Sequence, residues 1–476
     1  MNRQIKILLA VFIACFLAVA VNLTWIQIFG AEHISENAYN KRRLVDEYSV
    51  LRGDITTEDG EVVAKSVDTG EQYRYQREYP AGDAYSCVTG YDSWRYGRSG
   101  LEKKFNKELL GQGSPQSFKS LASKLVGSSK KGDSLVLTVD SRLQRAATDA
   151  LGEQRGAVVA MDPKTGAVLA LVSYPTFDPN VTVPLKGRDT ETAWAALNAD
   201  PDAPLVNRAT TGLYPPGSSF KVVTGSAVLD LGVVTPQSLF DCKGRLLVQG
   251  FTVYDFSRRG HGPLDFARAM VVSCNVTFAE VGLRLGAEAL VRYAELYGFN
   301  RVIPFDLPVA ESHIQSPDTM DKVALASSAI GQAQDLATPL QMALVASGVA
   351  NDGEVMQPYL VDEVQDYNGK IIKQFSPKRW DRVIKAETAQ TLTGIMVKVV
   401  DEGTGTRARI DGVDVAGKTG TAEVEGKEPH AWFIGFAPAY DPKVAVAVLL
   451  EQGGEGGVTA APIARQVIEE ALSLQQ

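Results

Sequence analysis

Three short motifs in a fixed order constrain this chain more than any other feature. Ser218-Ser219-Phe220-Lys221 comes first, Ser273-Cys274-Asn275 second and Lys418-Thr419-Gly420-Thr421 last. Together they supply a hydroxyl nucleophile, an amine base, a relay hydroxyl and a strand that can bind an anion. That is the equipment of acyl transfer through a serine ester. The fold must therefore bring three distant stretches to one place.

Each motif has a local context that suits its task. A serine hydroxyl is a poor nucleophile until a base takes its proton. Ser218 and Lys221 are three residues apart, so a helix puts both on one face, a turn apart. Tyr214-Pro215-Pro216-Gly217 stops any earlier helix and opens a new one, whose first-turn N–H groups are free to bind an oxyanion. Phe220, Val222 and Val223 surround Lys221 with apolar groups. Burial and a second cation nearby lower a lysine's pKa, which lets it act as a neutral base. Ser273-Cys274-Asn275 lies between two helical patterns, on a turn. From there Ser273 can relay a proton to a leaving amine, and Asn275 can hydrogen-bond a substrate amide. Lys418-Thr419-Gly420-Thr421 follows Val413-Asp414-Val415-Ala416-Gly417 and should run along a strand. At a sheet edge its free backbone groups can pair with an extended peptide. Lys418 and the two threonine hydroxyls would bind a carboxylate, and Gly420 lets the substrate backbone come close.

The chain also carries decoys. Ser128 and Lys131 form a second Ser-x-x-Lys, but in a polar stretch with no apolar helix after it. Lys164-Thr165-Gly166 precedes Ser218 and reads as a turn between two strands. Gly412-Val413-Asp414-Val415-Ala416-Gly417-Lys418-Thr419 matches a phosphate-binding loop to the letter. That motif needs a loop between its glycines and a helix behind it; here the residues read as strand, and nucleotide binding is set aside. No Gly-x-Ser-x-Gly elbow exists, and His430 reads as structural or rim-exposed.

Composition sets the outer limits. With 476 residues, two or three domains are expected, and 45% apolar against 22% charged residues is enough for packed cores. A net charge of -8 argues against nucleic acid as a partner. Arg3 and Lys6 precede an apolar run from Ile7 to Phe29, long enough to cross a bilayer, with Trp25 near the outer interface. The competing reading is a cleaved signal peptide ending at Ala18-Val19-Ala20, although the run continues past it. Both readings place the rest of the chain outside the cytoplasm.

There are four cysteines. Cys15 lies in the apolar run. Of Cys87, Cys242 and Cys274, the last two form the expected disulfide if one forms; three unpaired buried thiols is the alternative. No metal-ligand spacing is visible, and His33, His261, His313 and His430 are scattered, so no metal is expected.

The coarse pattern is α+β. Strands are expected at 156–161 and 167–172, helices at 218–232, 264–271, 276–297 and 385–401, late strands at 413–416, 431–436 and 444–450, and a last helix at 461–472. The sheet would be mostly antiparallel and covered by helices. Asp59-Gly60 reads as a hairpin turn. Gly127-Ser128-Ser129-Lys130-Lys131-Gly132-Asp133-Ser134 reads as a linker. The division is an anchor over 1–30, a smaller mixed pedestal over 31–132 and the motif-bearing domain over 133–476.

From Leu135 onward the chain resembles the transpeptidase domain of class B penicillin-binding proteins, in particular the penicillin-binding protein A type. Ile330-Gly331-Gln332, Ala337-Thr338-Pro339-Leu340-Gln341-Met342-Ala343 and Asp401-Glu402-Gly403-Thr404-Gly405-Thr406 are similar to family segments. Arg52-Gly53-Asp54-Ile55 and Gly97-Arg98-Ser99-Gly100-Leu101-Glu102 resemble the family's pedestal. Ser219 departs from the commoner Thr.

The resemblance implies a peptidoglycan D,D-transpeptidase that β-lactams acylate. By motif position Ser218 would be the nucleophile, Lys221 the base and Ser273 the relay. Asn275, Lys418, Thr419, Gly420 and Thr421 would hold the peptide, and the backbone N–H groups of Ser218 and Thr421 would form the oxyanion hole. It also implies a SEDS-type membrane polymerase as partner, because 30–132 is too short for a glycosyltransferase. No cofactor is expected. A β-lactamase is disfavoured, since the only Leu-Asn pair, Leu197-Asn198, precedes Ser218. The remaining rivals are a D,D-carboxypeptidase and a non-catalytic β-lactam-binding sensor or divisome scaffold.

Overall fold

The computed structural model describes residues 2–25, 41–113, 131–185 and 188–474. Half of the expected linker, with Ser128 of the decoy motif, and the end of the apolar run at Phe29 lie outside the described residues. The first helix spans Asn2–Trp25, and its Arg3–Trp25 part is long and apolar enough to cross a membrane. Its apolar side chains are exposed, unlike those of any core helix.

The N-terminal region is built on a six-stranded sheet. Its order is Ile371–Gln374, Val361–Gln365, Ser134–Leu137, Ile55–Thr56, Val62–Asp68 and Tyr75–Glu78. Two of its strands thus come from late in the sequence, so the catalytic part is tied into the pedestal. Ile55–Thr56 and Val62–Asp68 form an antiparallel hairpin around Asp59-Gly60, with Gly60 at φ 88°. Gly53 passes so close to Asp133 that a Cβ would lie 1.9 Å from its carbonyl oxygen, which only glycine permits. Beside it, Arg52 and Arg77 each donate from Nε to the buried Glu102 at 2.6 Å. The two stretches identified as pedestal-like in sequence therefore meet through one ion cluster.

The larger region centres on a five-stranded sheet, ordered Ala416–Val424, Lys427–Ala437, Val444–Leu450, Gly156–Met161 and Val168–Tyr174. Every pairing is antiparallel. Val158, Ala160, Val446 and Val448 face the helices Ser141–Leu151 and Ala460–Ser473. Ala157, Val159, Ala445 and Ala447 face the opposite core, with Leu340, Leu344 and Val345 of the buried helix Pro339–Ala350. With both faces covered, the central strands are continuous apolar runs without polar alternation. That helix starts where its sequence says: Thr338 caps it by accepting from Gln341 N, and Pro339 takes the first turn, where an N–H is not missed.

Several expected elements shift. The strand expected at 413–416 begins only at Ala416, because Val413 N bonds back to Ile410 O in a turn. It then carries the whole Lys-Thr-Gly-Thr motif. The helix expected over 276–297 is two helices, Asn275–Leu285 and Ala287–Tyr297, divided at Gly286 with φ 87°. The run 218–232 is a 3₁₀ turn, Gly217–Phe220, followed by the helix Lys221–Asp230.

Candidate active site

The turn that carries Ser218 is held from four sides. Gly217 has φ 52° and donates its N–H to Gly331 O at 2.9 Å. Gly331 is itself at φ 73°, and a Cβ there would sit 2.1 Å from Gly217 O. The Ile330-Gly331-Gln332 segment is therefore the floor under the Ser218 turn. Ser219 Oγ donates to Pro216 O at 2.6 Å, and Trp432 Nε1 donates to Pro215 O at 2.9 Å. Tyr214 Oη donates to Glu451, which pairs with Arg208 and Arg155. Ser218 stays half-exposed while its neighbours Gly217, Ser219 and Phe220 are buried.

The strand Ala416–Val424 is the edge of the five-stranded sheet, so one side of its backbone has no strand partner. It runs directly against the nucleophile turn. A Cβ on Gly217 would lie 2.8 Å from Thr421 O, and one on Gly420 would lie 3.1 Å from Ser219 N. Two glycines thus make the close approach possible. Thr419 Oγ1 lies 2.6 Å from Thr404 Oγ1, which fixes the hydroxyl that faces the cleft.

The third stretch completes the site. Ser273 adopts φ 58°, uncommon for a non-glycine residue, and Cys274 caps the following helix by accepting from Thr277 N. Lys221 Nζ donates to Ser273 O at 2.6 Å, Ser273 Oγ at 3.2 Å and Asn275 Oδ1 at 2.7 Å. Lys418 Nζ donates to the same Ser273 Oγ at 2.9 Å and to Thr419 O at 2.8 Å. One hydroxyl therefore bridges two lysine nitrogens. Ser218, Ser273, Asn275, Thr419 and Thr421 line one cavity of about 820 Å³. All three motifs meet there.

Both lysines are fully buried, at 0% exposure, with no carboxylate bonded to them among the described residues. Burial pushes Lys221 down to about 7, against a weaker opposing pull from Cys274 and Asp255. Burial and then the nearby Lys221 hold Lys418 well below its ordinary value. An amine that is neutral near neutral pH can act as a general base.

Sequence reasoning missed part of the support. Asp255 carried no motif signal, yet its Oδ1 accepts from Asn275 N at 2.6 Å and sets the turn. Asn275 Nδ2 donates to Tyr254 O at 3.0 Å, which leaves one of its N–H groups for a ligand. Thr404 was visible only as part of a family-like segment.

Of the two readings of the cysteines, the structure has the unpaired one: all four are free, with no Cys242–Cys274 disulfide. Both sulfurs turn toward Asp255 Oδ2, at 2.7 and 3.6 Å, instead of bonding to each other. The expectation of no metal-ligand grouping also needs correction. Cys242, Asp255, His261 and Cys274, far apart in sequence, place one donor atom each within 4.8 Å of the others. His430 is structural, accepting from Gln452 N. Lys164 of the first Lys-Thr-Gly copy is exposed and paired with Asp441. Lys418 is in mid-strand with no helix behind it, so the phosphate-loop match is accidental.

Comparison with known proteins agrees with this geometry. Residues 156–469 match the model of the penicillin-binding protein transpeptidase domain, and residues 52–135 match that of the penicillin-binding protein A dimerisation domain. The peptidoglycan D,D-transpeptidase PbpA of Mycolicibacterium smegmatis is 39% identical, covering 99% of this chain and 98% of that protein. PbpA of Mycobacterium tuberculosis is 37% identical over 99% of both. The ceftriaxone acyl-enzyme structure of penicillin-binding protein A from M. tuberculosis superposes with a TM-score of 0.86 at 37% identity, covering 90% of this chain and 100% of that one. A D,D-transpeptidase domain from Eggerthella lenta gives 0.81 at 39% identity, over 90% and 99%. The chain belongs to the penicillin-binding transpeptidase family, in its penicillin-binding protein A branch.

Proposed function

We propose that this chain is a peptidoglycan D,D-transpeptidase that cross-links stem peptides through an ester on Ser218 and is acylated there by β-lactams. The observation that carries this reading is the junction of two buried amines on one hydroxyl beside Ser218, at the edge of a sheet. A scaffold or sensor without turnover needs neither amine.

The steps give each residue around the cavity the task that its motif position supports. Neutral Lys221 takes the Ser218 proton as Oγ attacks the carbonyl carbon of the penultimate D-Ala. The backbone N–H groups of Ser218 and Thr421 bind the oxyanion. The C–N bond then breaks, and the proton passes from Lys221 through Ser273 Oγ to the departing D-Ala nitrogen. Lys418, Thr419 and Thr421 hold the terminal carboxylate, and the arriving anion draws Lys418 back to its charged form. Asn275 offers its remaining N–H to the peptide, while Gly420 admits its backbone. A neighbouring stem peptide's amine attacks the ester and frees Ser218. A β-lactam follows the first steps, but its leaving nitrogen stays tethered.

The first helix anchors the chain in the membrane with the site on the outer side, where the substrate is. A SEDS-type polymerase in the same membrane would supply the glycan strands. A fluorescent penicillin should label the chain covalently, and Ser218→Ala should abolish labelling while leaving thermal unfolding unchanged. Surviving label would move the nucleophile elsewhere. A D-amino acid acceptor added to the acyl-enzyme should give exchange; hydrolysis alone would make it a D,D-carboxypeptidase.

A further inference from the structure

We propose that Glu423 is a specificity residue that reads a cationic amine on the donor peptide, carried by the side chain just before the reacting D-Ala. The inference rests on the transpeptidase reading above and deepens it. It adds the class of donor that the cleft selects: a peptide ending in D-Ala-D-Ala whose preceding residue keeps a free amine.

The placement follows from the edge strand Ala416–Val424. Thr419, Thr421 and Glu423 are alternate residues, which a strand sends to one face, and all three line the same cavity. The bulge beside Glu423 falls on the partner strand, where Glu428 and Pro429 oppose it, so the alternation along its own strand is kept. Thr419 and Thr421 hold the terminal carboxylate in the reading above, and Thr421 N binds the oxyanion. The donor therefore runs from its C-terminus at Thr419 past Thr421, antiparallel to the strand. Two strand residues span about 6.8 Å, and an extended peptide advances about 3.4 Å per residue. Glu423 is thus within reach of a long side chain on the residue before the reacting D-Ala.

The charges of the cavity are ordered in the same direction. Arg407 lines it three residues past Thr404, whose Oγ1 is 2.6 Å from Thr419 Oγ1, and so borders the carboxylate end. Arg407 already donates to Val458 O at 3.1 Å, and Arg258, the other arginine of the cavity, stacks 5.1 Å from the centre of the Tyr254 ring. Glu423 lies past the other end of the motif. It is exposed, and no hydrogen bond or ion pair ties it to another described residue. A carboxylate left without a partner in a substrate cleft attracts a cation from the ligand. A peptide with a C-terminal carboxylate and an amine upstream matches that order.

The reaction asks for the same feature. The acceptor is a stem peptide's amine, so every stem peptide able to accept also carries that amine when it serves as donor. Glu455 is the other exposed carboxylate of the cavity. It sits in the loop Gly453-Gly454-Glu455-Gly456-Gly457, whereas Glu423 is fixed on a strand two residues from Thr421. A strand sets a side chain more precisely than a glycine-rich loop does, which assigns the amine to Glu423.

The test uses two synthetic donors, Nα-acetyl-Lys-D-Ala-D-Ala and its Nα,Nε-diacetyl form, with the full chain. Release of D-Ala reports the donor step alone. The free-amine peptide should be preferred about fivefold in kcat/KM at low salt, through KM, and the preference should shrink at high salt. Glu423→Gln should abolish the preference, Glu423→Asp should keep part of it, and Glu455→Gln should keep it. Glu423→Lys should instead favour Nα-acetyl-Glu-D-Ala-D-Ala. Benzylpenicillin has no such amine, so in Glu423→Gln the ratio of peptide to penicillin acylation rates should fall about fivefold as well. An equal fall in both rates would show a structural role and overturn the inference. Equal use of the two peptides by the unaltered chain, or a preference that survives Glu423→Gln, overturns the inference alone. Release of D-Ala from neither peptide overturns it together with the transpeptidase reading.

Discussion

The pedestal and the cleft both bury cations, and they handle them in opposite ways. Arg52 and Arg77 converge on one fully buried carboxylate, Glu102. Burial works against the Arg77 charge, but Glu102, helped by Tyr79 and Asp92, more than offsets it, so its pKa rises. Lys221 and Lys418 converge on one neutral hydroxyl, Ser273 Oγ. Desolvation outweighs the weaker pull of Cys274 and Asp255 on Lys221, and both amines are driven toward the uncharged form. A paired cation is a fixed structural charge. A cation given only neutral oxygens becomes a proton carrier.

The largest effect that can break this contrast is at Lys221. Lys221→Met removes the base, and the acylation rate by penicillin should fall about 10²- to 10⁴-fold. Its stability should change little, because the buried group lost was poorly compensated. Glu102→Gln should do the reverse. It strands two buried guanidinium groups and should cost about 3–5 kcal/mol in denaturant unfolding, with acylation of the folded fraction unchanged. If Lys221→Met proves as destabilising as Glu102→Gln, the two regions do not differ in kind.

Much of this was written in the sequence, for identifiable reasons. Strands buried on both faces leave unbroken apolar runs, so 156–161 and 444–450 were legible. Ser218 and Lys221 were legible because helical spacing ties them, and Lys418 because its strand follows a β-branched run. The split at Gly286 needed a backbone angle, which one glycine in a periodic pattern does not reveal. Asp255 and Thr404 act by hydrogen bonds to partners far along the chain, and no local pattern encodes those. The sequence left the cysteines open between a disulfide and free thiols, because thiol counts say nothing about direction. Asp255, absent from that count, is what both sulfurs face.

A pH profile sharpens the contrast next. Burial lowers Lys221 from 10.5 to about 7, so the neutral base should predominate above pH 7. The acylation rate should climb about tenfold per pH unit below that point and level off above it. A rise that continues to pH 10 would mean that the amine keeps an ordinary pKa and that burial is not what activates it.

The smallest effect concerns the neutral oxygens themselves. If uncharged partners do the positioning in the cleft, removing one hydroxyl should weaken the site by about the worth of a single hydrogen bond. Thr404→Val keeps the side-chain shape but cannot bond Thr419 Oγ1, now 2.6 Å away. About 1 kcal/mol is expected, or roughly a fivefold drop in the second-order acylation rate constant. The unfolding midpoint should barely move, because Thr404 lines the cleft and Thr419 can turn its hydroxyl to water there. Thr404→Ser, which restores the hydroxyl, should recover the rate. Loss without recovery would mean that the methyl contact matters and that the hydroxyl does not.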